Sequence, residues 1–160
     1  MNSNISYALL CCVAVVFSLL THSAHAGPSA KLVVVVAKDS PINNLSPSEL
    51  KRAFLSDNVV IAGKKLVPFN FGLGTLERIG FDRCVLGMTD EVARRFWVDR
   101  KIRGQAEAPR ALPSAAVVVK VATTFPGAIG YVRASDLRPE VRAVKIDGVA
   151  YNEPGYSITE

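Results

Sequence analysis

The chain reads as an α/β domain, a sheet covered by helices. Three observations predict it. Lys31–Ala37 (KLVVVVA) is a continuous apolar, β-branched run, the pattern of a strand buried on both faces. Ser46-Pro47-Ser48-Glu49 opens a helix with an N-cap serine, proline at the first helical position and glutamate at N3. Apolar strands and capped helices then alternate along the chain, which is how a sheet with helical cover is written.

The elements follow in order. Lys38–Leu45 is a loop containing Pro41 and Asn43-Asn44. The helix after Ser46 turns Leu50, Ala53 and Phe54 to one face and ends near Leu55. Val59–Ile61 is a short strand, Ala62-Gly63-Lys64-Lys65 a turn, and Leu66–Phe71 a second strand. A helix is predicted over Thr75–Leu86 with two apolar sides. Phe81, Cys84, Val85 and Met88 share one side, and Leu76, Ile79 and Leu86 the other, as in a helix wedged between layers. Gly87 can stop it in a left-handed conformation.

Thr89-Asp90-Glu91 caps the next helix, whose apolar stripe is Val92, Ala93, Phe96 and Trp97. Gly104–Pro113 is a loop. Ser114–Thr124 carries both signals: Ser114 after Pro113 is a helix cap, whereas Val117-Val118-Val119 and Thr123-Thr124 favour a strand. Ala128–Val132 and Val141–Ile146 are further strands, and Asn152–Glu160 is a loose tail.

The first residues read as an export signal. Ala8–Leu20 is an apolar run too short to span a bilayer, and His25-Ala26 completes an A-x-A cleavage pattern after Ala24. Cleavage after Ala26 is expected, so residues 1–26 are signal, 27–151 a single domain and 152–160 the tail. The expected location is the periplasm, with no stable membrane insertion after cleavage.

Cleavage removes chemistry as well as length. Both histidines (His22, His25) and two cysteines (Cys11, Cys12) leave with the signal, and Cys84 remains. That excludes an intramolecular disulfide, a His-based triad and a Cys/His zinc site in the mature chain. No cofactor and no metal are expected, and no spacing signals an enzyme. The net charge of +5 is an ordinary solubility charge, and nucleic acid is not an expected partner outside the cytoplasm.

One segment has the shape of a binding site. Leu66–Phe71, Gly72-Leu73-Gly74-Thr75 and the following helix make a strand, a glycine turn and a helix start, where backbone N–H groups converge on an anion. The candidate ligand-binding residues are Gly72, Leu73, Gly74 and Thr75, through turn backbone and the threonine hydroxyl. Yet no Arg, Lys, Ser or Asp stands between Phe69 and Gly74.

The segments VVVVAKDSPINNLSPSELKRAFL, LVPFNFGLGTLERIGF, VLGM, VATTFPGAIGYVRASDL and VKIDGV occur in this order over Lys31–Val149. This ordered set resembles the substrate-binding proteins of phosphate ABC transporters, of the type II periplasmic binding protein superfamily. The resemblance implies a single lobe of that fold, a mixed sheet flanked by helices. It also implies that Ser114–Thr124 is helical. Full-length members have two lobes that close on phosphate.

The family offers phosphate an R-x-D-x-S-G-T turn. By resemblance, Gly74-Thr75 keeps its Gly-Thr pair, while Phe69, Phe71 and Leu73 stand at the Arg, Asp and Ser positions. The expected function is therefore that of a non-enzymatic solute-binding-protein-like domain that has lost its phosphate-ligating side chains. The alternative is an envelope protein-interaction module on the same scaffold. A weak binder of another anion at Gly72–Leu76 is a third reading. The partners implied are a weakly held oxyanion and an ABC transporter or other envelope protein.

Other features have plainer readings. Phe69 and Phe71 either form an apolar contact patch or pack in the core, and the usual burial of phenylalanine favours the core. Arg94, Arg95, Arg100, Lys101, Arg103 and Arg110 could form a basic face. Asp90/Arg94, Glu91/Arg95 and Asp99/Arg103 stand at i,i+4, however, so most of that charge is paired locally. Cys84 is expected to be an inert buried thiol and Trp97 a core residue.

Overall fold

The computed structural model describes residues 30–56 and 58–160; the expected signal and its cleavage site lie outside the described residues. Among the described residues, no helix is long and apolar enough to cross a membrane.

The valine run forms β1 (Leu32–Ala37), the second-last strand of a five-stranded sheet. Its neighbour β7 (Ala128–Arg133) runs antiparallel in the register Leu32↔Arg133 to Val36↔Ile129. β7 in turn pairs parallel with β5 (Val67–Phe71), and β5 parallel with β6 (Arg110–Leu112). On its other side β1 pairs antiparallel with β8 (Val141–Ala143). The sheet order is β6-β5-β7-β1-β8, a mixed sheet.

Helices cover both faces. Gly130 and Tyr131 are successive residues of β7, so they point to opposite faces. A Cβ on Gly130 would come within 2.9 Å of Val118 in α4 (Ala115–Thr124), so glycine lets that helix lie close to the sheet. Tyr131 instead meets Phe54 of α1 (Pro47–Leu55) and stacks on Phe81 of α2 (Leu76–Phe81), with ring centroids 6.1 and 3.9 Å away. With cover on both sides, Leu32–Val36 are all buried, which is why this strand is continuously apolar rather than alternating.

The capping signals form as written. Ser46 Oγ accepts from the Glu49 backbone N–H at 3.2 Å, and Glu49 Oε2 accepts from the Ser46 N–H at 2.8 Å, closing a capping box on α1. These hydrogen bonds hold the Glu49 carboxyl below its ordinary range. Thr89 caps α3 (Asp90–Ile102) and Ser114 caps α4, so Ser114–Thr124 is helical as the resemblance implied. Its β-branched residues are tolerated because Val118, Val119 and Ala122 bury against the sheet.

Several expectations change. The helix predicted over Thr75–Leu86 is α-helical only to Phe81; Asp82–Leu86 forms a π turn closed by Gly87 at φ 71°. The wider turn advances the register, so Phe81 and Leu86, five residues apart, are the two large apolar side chains it buries. Cys84, within the turn, is therefore exposed; Leu76, at the start of α2, is exposed as well, and the two-sided wedge does not form. The stripe of α3 is narrower than predicted: Ala93 and Trp97 are buried, and Val92 is exposed.

The loop predicted over Gly104–Pro113 contains β6, three residues that pair with Phe69–Phe71. The strand predicted over Val141–Ile146 is two strands. β8 joins the main sheet, and β9 (Lys145–Ile146) pairs parallel with β2 (Asn44–Leu45). The turn predicted over Ala62–Lys65 is shorter, because Lys64–Lys65 forms β4 opposite β3 (Val60–Ile61).

The tail is not loose. Tyr156 and Ile158 are buried, the Ile158 carbonyl accepts from the Leu32 N–H at 3.0 Å, and the Glu160 N–H donates to Ala30 O at 3.0 Å. It crosses α2 at Gly80, where a Cβ would come 2.3 Å from the Cα of Glu160. Burial pushes the Tyr156 phenol up to about 12.

Candidate functional site

The candidate turn leaves the sheet at the carboxyl end of β5, which is parallel to both of its neighbours. In open α/β sheets such ends are where ligands are met. Gly74 sits at φ 83°, a conformation that a side chain would strain, and this lets the chain enter α2. Thr75 is the N-cap. Its Oγ1 donates to Gly72 O at 2.9 Å and accepts from the Arg78 N–H at 3.3 Å, while its own N–H bonds Gly72 O at 3.3 Å.

The Gly74 N–H also has a partner. It donates to Oδ1 of Asp90 at 3.2 Å, and Oδ2 of the same carboxylate accepts from Arg94 Nη2 at 2.9 Å. Asp90 is the first residue of α3, so the two helix starts are joined by a side-chain carboxylate. Of the four predicted site residues, Gly74 and Thr75 thus have their polar groups engaged within the chain. Gly72 contributes its carbonyl to the cap, and the Leu73 side chain projects into solvent.

Phe69 and Phe71 are in the core, as the plainer reading had it. Phe69 packs toward Phe125 (centroids 6.4 Å) and Phe71 toward Tyr131 (5.4 Å). The apolar residues that do face solvent here are others: Leu73, Leu76 and Val92 are 51%, 61% and 50% exposed. The Gly74–Asp90 hydrogen bond joins the turn and helix start that carry Leu73 and Leu76 to the start of α3, which carries Val92.

Cationic groups near the turn are committed elsewhere. Arg78 donates through Nε to Asp82 Oδ2 at 2.6 Å, and both side chains are buried. Burial raises the Asp82 carboxyl above its ordinary value, and Arg78 opposes part of that shift. Burial likewise lifts the Tyr131 phenol well above its ordinary value. Glu77 bonds Arg133 Nη2 at 3.1 Å, and Arg133 also holds Glu160.

Sequence reasoning assigned Asp90 only to the cap and charge pairs of its own helix, because its contact with Gly74 spans sixteen residues. It passed over Arg78 and Asp82, whose i,i+4 spacing was the available signal, in the weaker order with the base first.

The remaining candidates resolve simply. Arg94–Asp90, Arg95–Glu91 and Arg103–Asp99 pair as the spacing predicted, on an exposed face where such pairs contribute little. Trp97 is buried. Cys84 is exposed, contrary to expectation, and its thiol donates to Thr159 O at 3.5 Å.

No family model matches the chain, and no curated protein matches it in sequence. Its shape does have counterparts among solved structures. An ABC-type phosphate transport receptor from Vibrio cholerae superposes with a TM-score of 0.57 at 16% identity, over 74% of this chain and 46% of its own. PstS from Borrelia burgdorferi gives a TM-score of 0.60 at 14% identity, over 82% of this chain and 55% of its own. The fold is that of periplasmic binding proteins.

A third structure of this periplasmic-binding-protein fold, from Clostridium perfringens, is assigned as a phosphate ABC transporter substrate-binding protein and has phosphate bound. It superposes with a TM-score of 0.58 at 18% identity, over 76% of this chain and 47% of its own. The chain thus spans about half the length of these structures. The likeness is one of fold. These neighbours are named for transport and solute binding rather than for catalysis.

Proposed function

We propose that this chain is an exported, non-enzymatic domain on a half-length periplasmic-binding-protein scaffold, one that has lost strong phosphate recognition. The observation that carries this reading is the Asp90 carboxylate on the Gly74 amide: an anion from the chain itself sits where an oxyanion would be received. Phe69, Phe71 and Leu73, at the positions where the resemblance expects Arg, Asp and Ser, add to it.

Magnitudes agree with this reading. Each charge-assisted hydrogen bond contributes about 1.5–3 kcal/mol, and ~1.4 kcal/mol is tenfold in affinity. A free anion ~4 Å from Asp90 would meet a repulsion of up to about 4 kcal/mol at an effective dielectric of ~20. Isothermal titration with phosphate and with sulfate tests the reading. Dissociation constants no tighter than millimolar are expected, and micromolar phosphate binding would overturn it.

A second reading has its own observation. Leu73, Leu76 and Val92 expose apolar side chains around the turn, as a protein contact would require and an oxyanion would not. On this reading the scaffold serves as an interaction module of the envelope, with an ABC transporter or another envelope protein as partner. A photo-crosslinker at Leu76 should then capture a discrete partner in envelope preparations, whereas one at the exposed Val60 should not. Equal yields from both positions would sink this reading.

A further inference from the structure

We draw no further inference here: the strongest candidate, the apolar groove of about 230 Å³ lined by Phe54, Pro68, Phe69 and Trp97, is an unpartnered face, and nothing in the structure shows what covers it.

Discussion

Asp82 holds Nε of Arg78 at 2.6 Å inside the core, while Arg78 Nη2 and Asp82 Oδ1 find no hydrogen-bond partner among the described residues. A buried pair of this kind is costly to halve and cheap to replace whole. Asp82→Ala should therefore lower stability by about 3–5 kcal/mol, because it leaves a buried guanidinium alone. The double variant Arg78→Met with Asp82→Leu should lose much less. Urea unfolding of both singles and the double closes the cycle, and additive losses would refute this account.

The same pair predicts a pH dependence. The Asp82 carboxyl is raised in the folded state, so the fold takes up this proton more readily than the unfolded chain does. Its contribution is fully present below the unfolded carboxyl pKa and is lost as pH rises through the folded one. Asp82→Asn should still cost stability, because it leaves the buried Arg78 guanidinium without its counter-charge. That cost should shrink as pH rises from acid to neutral. Glu49 has the opposite sign, being lowered by its bonds to Ser46. Its contribution is present above the unfolded value and lost as pH falls through the folded one, and Glu49→Gln should remove that loss. Unfolding midpoints from pH 3 to 7, roughly the span of the carboxyl reference values and neutrality, read out both slopes.

Asp90→Ala should free the Gly74 amide. The expected result is faster hydrogen exchange at Gly74 and a stability loss of about 1 kcal/mol, the net worth of an ordinary hydrogen bond. Micromolar phosphate affinity should not appear, since the nearby Arg78 remains bound to Asp82. Unchanged exchange at Gly74 would show that the carboxylate does not hold the turn in solution.

Gly80 is where the tail crosses α2, and a methyl group there would meet the Glu160 backbone. Gly80→Ala should cost about 1–3 kcal/mol, the usual range for overpacking. Removing residues 156–160 should itself destabilise, through loss of Tyr156 and Ile158 from the core. In the truncated chain, however, Gly80→Ala should be close to neutral. Thermal melts of the four forms test the coupling, and an undiminished cost in the truncated chain would place the clash elsewhere.

Much of the fold was legible because much of it is local. The capping box of Ser46 and Glu49, the caps at Thr75 and Thr89, and the stop at Gly87 are each settled within a few residues, whereas the β-branched run after Ser114 leaves that cap open. So are the i,i+4 ion pairs of α3. The buried β1 run declares its own burial through continuous β-branched side chains. The three residues of β6, between Pro109 and Pro113, carry no period to read. The π turn displaced Cys84 to the surface by adding a residue that helical counting does not anticipate.

By itself, then, the amino-acid order determined the α/β alternation, the helix starts at Ser46, Thr75 and Thr89, and the absence of cationic or hydroxyl side chains between Phe69 and Gly74. Those follow from hydrogen bonds and periodicities that act within one turn of chain. Only the tertiary structure decided that Phe69 and Phe71 fill the core, that the last residues dock beside β1, and that Asp90 comes to rest on the Gly74 amide. Each of those joins groups far apart along the chain. Such contacts form only when packing of the whole sheet and its helices has offset the entropy of bringing them together.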